Sequence, residues 1–219
     1  MTYEELISAV SKIIQDTSFT NSDIGTYINQ AQLEIAGGMQ SALGDWITPP
    51  LPKLLTIDTV TTAVDLAYVD LPIDFHRGLQ FAASVNGYEI DIADSFISFS
   101  EVYPLLNKSG SISEVCAFGG VLYYQGIPLV AEDITIHYYK EPTEMVSDDD
   151  EPSGIPTHLQ RSLLVNHAAW KIYELIEDGL EGPGVNTQRY MQLFMNALKI
   201  LELSIPYDTR GMDLIWAIL

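Results

Sequence analysis

Histidine, cysteine and carboxylate side chains are the groups from which a catalytic or metal site would be built. The four histidines follow no H-E-x-x-H spacing, and the single Cys116 cannot form a zinc cluster. Its neighbours are apolar, which indicates a buried, reduced thiol. Asp70, Asp74 and His76 could meet at a metal, but they flank a Leu-Pro pair, where Asp is typical of a turn. We therefore expect neither a metal nor a cofactor.

The acidic segment at residues 147–154 invites comparison with a calcium loop. Counted from Asp149, oxygen-bearing side chains fall at positions 1, 3 and 5, and a glycine falls at position 6. Position 12 is Gln160, which cannot supply the bidentate carboxylate of an EF-hand, and two prolines stiffen the segment. The composition instead predicts a solvated hinge, with incidental cation binding as the alternative.

Patterns for nucleophilic or phosphate chemistry are also missing from the sequence. It contains neither a G-x-S-x-G elbow nor a glycine loop that would bind phosphate. A glycosidase pair among the thirty acidic residues stays open, although no spacing selects one. Four tyrosines in the predicted sheet indicate cross-strand packing rather than a stacking platform for sugars or bases: Tyr123, Tyr124, Tyr138 and Tyr139. We expect that the protein is not an enzyme.

The charge balance limits the partners. Ten Lys and Arg against thirty Asp and Glu give a net charge of −20, and the basic residues are scattered. Binding of a nucleic-acid backbone needs clustered cations, so DNA is expected to pass such a surface without being held. The chain opens without a signal peptide and has no apolar run of membrane-spanning length. We expect a protein made in a cytoplasm, with no membrane partner.

The positions of caps and apolar residues predict a helical hairpin over residues 1–45. Thr2 and Glu5 form a capping box for a helix over residues 3–15. Ser22 is the expected cap of a second helix, which Gly37 and Gly38 should end.

Residues 46–146 carry strand signals and predict one small antiparallel sheet. Asn86-Gly87 and Gly119-Gly120 are dipeptides that favour type I′ hairpin turns. A strand is expected over residues 134–139 and a short helix over residues 99–106.

Two further helices are predicted over residues 147–205. The first should begin near Pro156 and stop toward Gly179, and the second should begin near Thr187. The apolar side of the second helix is expected to contain Met191, Phe194, Leu198, Leu201 and Ile205. The predicted fold class is α+β: an antiparallel helical bundle formed by the N- and C-terminal helices, an inserted small antiparallel β-domain, and an extended C-terminal arm over residues 206–219.

The predicted arm is apolar. Such an end marks an interaction site, and docking on the subunit's own core or on a neighbouring subunit both remain open. The residues expected to contact a portal or a neighbouring subunit are Leu214, Ile215, Trp216, Ile218 and Leu219.

Over residues 1–203, this order of elements resembles the head-to-tail adaptor (connector) proteins of tailed bacteriophages. One matching motif is a leucine-proline-x-aspartate-aromatic turn, and the other is a tyrosine-tyrosine-basic-x-proline strand end. The residues that match these motifs are Leu71, Pro72, Asp74, Phe75, Tyr138, Tyr139 and Pro142.

The resemblance implies a ring, dodecameric in this family, in the neck of the virion between the portal protein and the tail or nozzle proteins. It also implies that the C-terminal arm grips the portal or a neighbour, and that genomic DNA passes through an acidic channel during ejection. Three alternatives from other classes remain: a virion-associated cell-wall hydrolase, another tail-completion or stopper ring subunit, and a cytoplasmic binding module that uses the acidic segment.

Overall fold

A computed structural model gives the fold and describes residues 1–39, 48–178 and 184–205. The fold class is α+β, as predicted. The expected arm over residues 206–219 lies outside the described residues. Within the described ranges, no helix is both long and apolar enough to cross a membrane.

The chain divides into two compact units. The first is helical and contains Met1–Leu54 together with the described residues from Pro142 onward. The second is Leu55–Glu141 and contains all the described strands.

Helix α1 spans Tyr3–Ile14 and begins as the sequence predicted. The Thr2 hydroxyl accepts a hydrogen bond from the Glu5 N–H, and the Glu5 carboxylate accepts one from the Thr2 N–H. This capping box satisfies amides that have no partner inside the helix. One face of the helix is buried, through Leu6, Ile7, Val10 and Ile14.

Helix α2 spans Asn21–Gly37 and is followed by Gly38, as expected. Its N-cap is Thr20, which forms a capping box with Asp23. The predicted cap at Ser22 is therefore wrong. That residue already lies inside the first turn, where its hydroxyl cannot reach the free amides that a cap must satisfy.

The two C-terminal helices belong to the first unit. Helix α4 spans Asn166–Ile176 and is preceded by a π-helical turn at Arg161–Val165; helix α5 spans Val185–Ser204. Helix α4 packs against α1, α2 and α5. Phe194, Leu198 and Leu201 are buried on α5, as predicted. Met191 is 43% exposed and does not belong to that face. A short 3₁₀ helix at Pro52–Leu54 precedes the second unit.

The second unit contains seven strands and the short helix α3, Phe96–Val102. The strands are β1 Leu55–Thr61, β2 Tyr68–Asp70, β3 Phe75–Ser84, β4 Asp91–Ile92, β5 Glu114–Phe118, β6 Val121–Tyr124 and β7 Asp133–Lys140. They form two sheets with the strand orders β1-β7-β3 and β2-β6-β5-β4. All pairs are antiparallel except β4 with β5. The prediction of one antiparallel sheet is therefore corrected to two sheets, one of them mixed.

Both sheets contribute to one core. Alternate residues of β7 point into it, as the period-two pattern of that strand predicted. The core residues are Val60, Leu71, Ala82, Ile90, Ile112, Val115, Leu122, Tyr124, Ile134, Ile136 and Tyr138. Cys116 is also buried and free, and burial raises the pKa of its thiol.

The two predicted hairpin turns differ. Gly119 and Gly120 both have positive φ, 62° and 81°, and connect β5 to β6, as a type I′ turn requires. At the other turn only Gly87 has positive φ, 76°. The Ser84 carbonyl accepts a hydrogen bond from the Gly87 N–H, and the Ser84 N–H donates to the Tyr88 carbonyl. This is a three-residue loop with a left-handed glycine, so the type I′ prediction is wrong there.

Helix α3 spans Phe96–Val102 and begins three residues before the predicted start at residue 99. The hydroxyl of Ser95 accepts a hydrogen bond from the Ser98 N–H and caps the helix. Pro104, which has no N–H to donate, follows the end of the helix and prevents the predicted extension to residue 106.

Candidate functional site

The turn over residues 71–75 lies against strand β7 and brings the two motifs together. The Tyr138 hydroxyl donates a 2.6 Å hydrogen bond to Oδ1 of Asp74. The pKa of Tyr138 is raised, mainly by burial and next by the hydrogen bond to this carboxylate. Tyr138 is only 1% exposed. The ring of Phe75 lies 5.2 Å from that of Tyr138, and the Leu71 N–H donates to the Gly120 carbonyl. These contacts fix the turn to both sheets of the second unit.

The remaining residues of the motifs shape the turn and the end of the strand. The Pro72 carbonyl accepts a hydrogen bond from the Phe75 N–H, which closes the turn and leaves Ile73 fully exposed at its tip. Tyr139 is half-buried, on the opposite face of β7 from Tyr138, and Pro142 is buried. An exposed apolar residue on a rigid turn is a surface that another protein can contact.

Four aromatic rings form a continuous row on the second unit, which we call the aromatic ladder: Tyr68, Tyr123, Phe96 and Phe118. The ring centroids lie 6.2 Å apart for Tyr68 and Tyr123, 4.9 Å for Tyr123 and Phe96, and 4.8 Å for Phe96 and Phe118. The outer members stay open to solvent, with Tyr68 44% and Phe118 57% exposed. The ladder therefore offers a rigid apolar face with one phenol at its end.

The ladder also divides the tyrosines that the sequence grouped together. Tyr124 and Tyr138 are core residues, whereas Tyr123 belongs to the ladder and Tyr139 faces outward. The division follows from the alternation of side chains along β6 and β7. Phe96 and Phe118 were not singled out from the sequence, because nothing in their spacing shows that α3 lies beside β5.

The acidic segment is open to solvent, as predicted, with Ser147, Asp148, Asp149 and Glu151 exposed, and side-chain hydrogen bonds hold its backbone. We call residues 146–151 the acidic loop. Oδ2 of Asp150 accepts 2.7 Å hydrogen bonds from the N–H groups of Val146 and Ser147, and the Asp150 N–H donates to the Ser147 carbonyl. These backbone donors lower the pKa of the Asp150 carboxyl.

The backbone of the acidic loop lies on the first turn of α1. The Tyr3 N–H donates to the Asp150 carbonyl at 2.8 Å, and the Glu4 N–H donates to the Asp148 carbonyl at 3.1 Å. The loop thus satisfies two helix amides that would otherwise lack partners, which the sequence could not indicate. In the described part of the chain, no three His, Cys, Asp or Glu side chains are arranged to hold a metal ion.

A hydrogen-bonded pair of His167 and Glu34 in the first unit has no sequence signal. Nε2 of His167, which is fully buried, lies 2.8 Å from Oε2 of Glu34. The hydrogen bond from His167 is the largest of the influences that lower the pKa of the Glu34 carboxyl. The imidazole also meets the rings of Trp170 and Phe194 edge-on. The pair joins α2 to α4 across 133 residues, and the burial of His167 beside two rings indicates a structural role.

The predicted partner-binding residues Leu214, Ile215, Trp216, Ile218 and Leu219 lie outside the described residues. Surfaces of the described residues that are suited to contact another protein include the tip of the turn over residues 71–75, the aromatic ladder and the acidic loop.

Comparison with known proteins covers nearly the whole chain. The family model described as SU10 adaptor protein matches residues 1–212. No curated protein matches the sequence. The match includes both motif segments, the strands of the second unit and all the described helices. The chain therefore belongs to the SU10 adaptor protein family, a family of structural head–tail adaptor proteins of bacteriophages.

Proposed function

We propose that this chain forms a ring, with twelve copies as the expected number, in the neck of the virion between the portal protein and the tail or nozzle proteins. The observation that carries the proposal is the family match over residues 1–212. The net charge of −20 supports it, because an acidic channel wall repels the phosphate backbone and lets genomic DNA pass without being trapped.

The aromatic ladder is the surface proposed to bind a tail or nozzle protein. Its rings are already ordered by contact with one another, so a partner that covers them loses little conformational freedom. Aromatic residues at the centre of an interface supply a large part of the binding energy. Leu214, Trp216 and the other apolar residues of the C-terminal segment are proposed to bind the portal or a neighbouring copy.

Cryo-electron microscopy of the virion tests the proposed position directly. We expect a closed ring of this chain between the capsid vertex and the tail, with a negatively charged inner wall. Density for this chain elsewhere in the particle, or its absence from the particle, would contradict the proposal. Glycan cleavage by the purified protein that one carboxylate substitution abolishes would support the hydrolase alternative instead.

Two variants test the proposed contacts. Phe118→Ser should weaken attachment of the tail at least about tenfold, because it removes the most exposed ring of the ladder. Val130→Ser removes an exposed apolar side chain elsewhere in the second unit and should leave attachment unchanged. Deletion of residues 211–219 should leave the monomer folded but abolish attachment to the portal. Loss of monomer folding would place those residues in the core of the subunit.

A further inference from the structure

The first unit contains a groove beside the last turn of α1 and the π-helical turn, which we call the basic groove. It has a volume of about 390 Å³ and is lined by Ile13, His158, Arg161, Ser162, Val165 and Asn166. None of these residues is acidic, although acidic residues outnumber basic ones thirty to ten in the chain. Arg161 gives this groove its positive charge, and it also lines a second groove together with Lys12, Glu4 and Glu5.

The Arg161 guanidinium of the groove is available for binding. The side chains of Ser162 and Asn166 donate hydrogen bonds to the carbonyls of Leu159 and Ser162, respectively. By contrast, Arg161 and His158 are exposed, and neither side chain has a hydrogen-bond or ion-pair partner within residues 1–39, 48–178 and 184–205. An arginine without a partner presents a fork of N–H donors that fits a carboxylate. The ligand that suits the groove is thus an acidic peptide segment.

The acidic loop has the complementary chemistry. Asp148 and Asp149 are exposed, and Val146 beside them is 76% exposed. Asp150 uses its carboxylate to hold the backbone of the loop, so the neighbouring carboxylates are displayed from an ordered segment. The groove likewise combines charged and apolar groups, with Arg161 beside the apolar Ile13 and Val165. Binding of an ordered loop has a smaller entropic cost than binding of a disordered one.

The loop and the groove are separate surfaces of one copy. The loop contacts residues 3 and 4 of α1, whereas the groove is lined by Ile13. At 1.5 Å per residue, these positions are about 14 Å apart along the helix axis. We propose that the acidic loop of one copy binds in the basic groove of the next. A contact between two different surfaces repeats from copy to copy and closes into a ring when the rotation allows it.

This inference rests on the proposed ring. It also explains how copies that each carry −20 charges approach one another: the contact places Arg161 of one copy against the carboxylates of the next.

A charge-exchange experiment with the full chain tests the contact. The first variant is Arg161→Glu and the second is Asp148→Lys with Asp149→Lys. Each alone should associate at least about tenfold more weakly than the unmodified protein in sedimentation velocity, since like charges then face each other. An equimolar mixture should recover association, because each groove then meets a loop of opposite charge. Lys108→Glu and Glu101→Lys change exposed charges of the second unit and should have no effect.

The outcomes separate this contact from the ring itself. If the unmodified protein assembles and either variant assembles equally well, the contact is wrong and the ring stands. Weak association of both variants without recovery in the mixture also refutes the contact. If the unmodified protein stays monomeric at all concentrations, the self-assembly on which the inference rests fails. Circular dichroism spectra and melting temperatures that match the unmodified protein establish that both variants are folded.

Discussion

The hydrogen bond from Tyr138 to Asp74 is the contact whose removal tests the account of the second unit most directly. The substitution Tyr138→Phe removes only the hydroxyl and leaves the buried ring against Phe75. The bond is 2.6 Å long, its acceptor is a carboxylate, and its donor side chain is 1% exposed. Hydrogen bonds to charged groups contribute roughly 1.5–3 kcal/mol, so we expect a loss of about 2 kcal/mol in the free energy of unfolding.

A second tyrosine of the same core provides the matched control. The Tyr124 hydroxyl donates a 3.0 Å hydrogen bond to the Tyr68 carbonyl, a neutral acceptor, and its side chain is fully buried. Tyr124→Phe should therefore cost about 1 kcal/mol. Urea unfolding followed by circular dichroism measures both values. A double-mutant cycle of Tyr138→Phe with Asp74→Asn should give a coupling energy of about 1 kcal/mol.

The pH dependence supplies an independent check of the same bond. The pKa of Tyr138 is raised in the folded protein, so its contribution to stability is complete below the ordinary tyrosine pKa of about 10 and is lost as the pH rises through the raised value. Tyr138→Phe should make the alkaline loss of stability less steep. Equal costs for the two Tyr→Phe variants, together with no coupling to Asp74, would refute the reasoning.

Three further predictions concern local features of both units. Gly120→Ala should lower the free energy of unfolding, measured in urea, by about 1 kcal/mol, because φ is 81° at this position. No neighbouring atom would contact the added Cβ, so the cost comes from the backbone conformation alone, and Gly120→Asn should cost less. The pKa of the Glu34 carboxyl is lowered in the folded protein, so its stabilising effect is present above the ordinary pKa of about 4.3 and is lost as the pH falls through the lowered pKa. Glu34→Gln should flatten this acid dependence of the melting temperature. An unchanged profile would contradict the pairing with His167. Asp150→Ala should speed amide hydrogen exchange at Ser147, whereas exchange equal to that of the unmodified protein would show that the carboxylate does not hold the loop.

Features set by residues close together in the chain were predicted well. The capping box of Thr2 and Glu5 and the turn at Gly119-Gly120 depend on contacts within three residues, so the local sequence specifies them. Two of the errors of this kind arose where two local choices compete. Thr20 and Ser22 are both good caps, and a glycine after Asn86 suits more than one loop length.

The fold class and the family resemblance could be predicted from composition and the order of elements, and not from the chemistry of single residues. The excess of acidic residues, the α+β class and the resemblance to phage adaptors follow from the amino-acid sequence alone, and the family match over residues 1–212 confirms the resemblance. The tertiary structure decided which residues meet: Asp74 with Tyr138 across 64 residues, Glu34 with His167 across 133, and the acidic loop with the start of α1. The physical reason is that such pairs form only after the chain between them has been brought into a packed arrangement, and neither spacing nor charge pattern specifies which distant partners that arrangement selects.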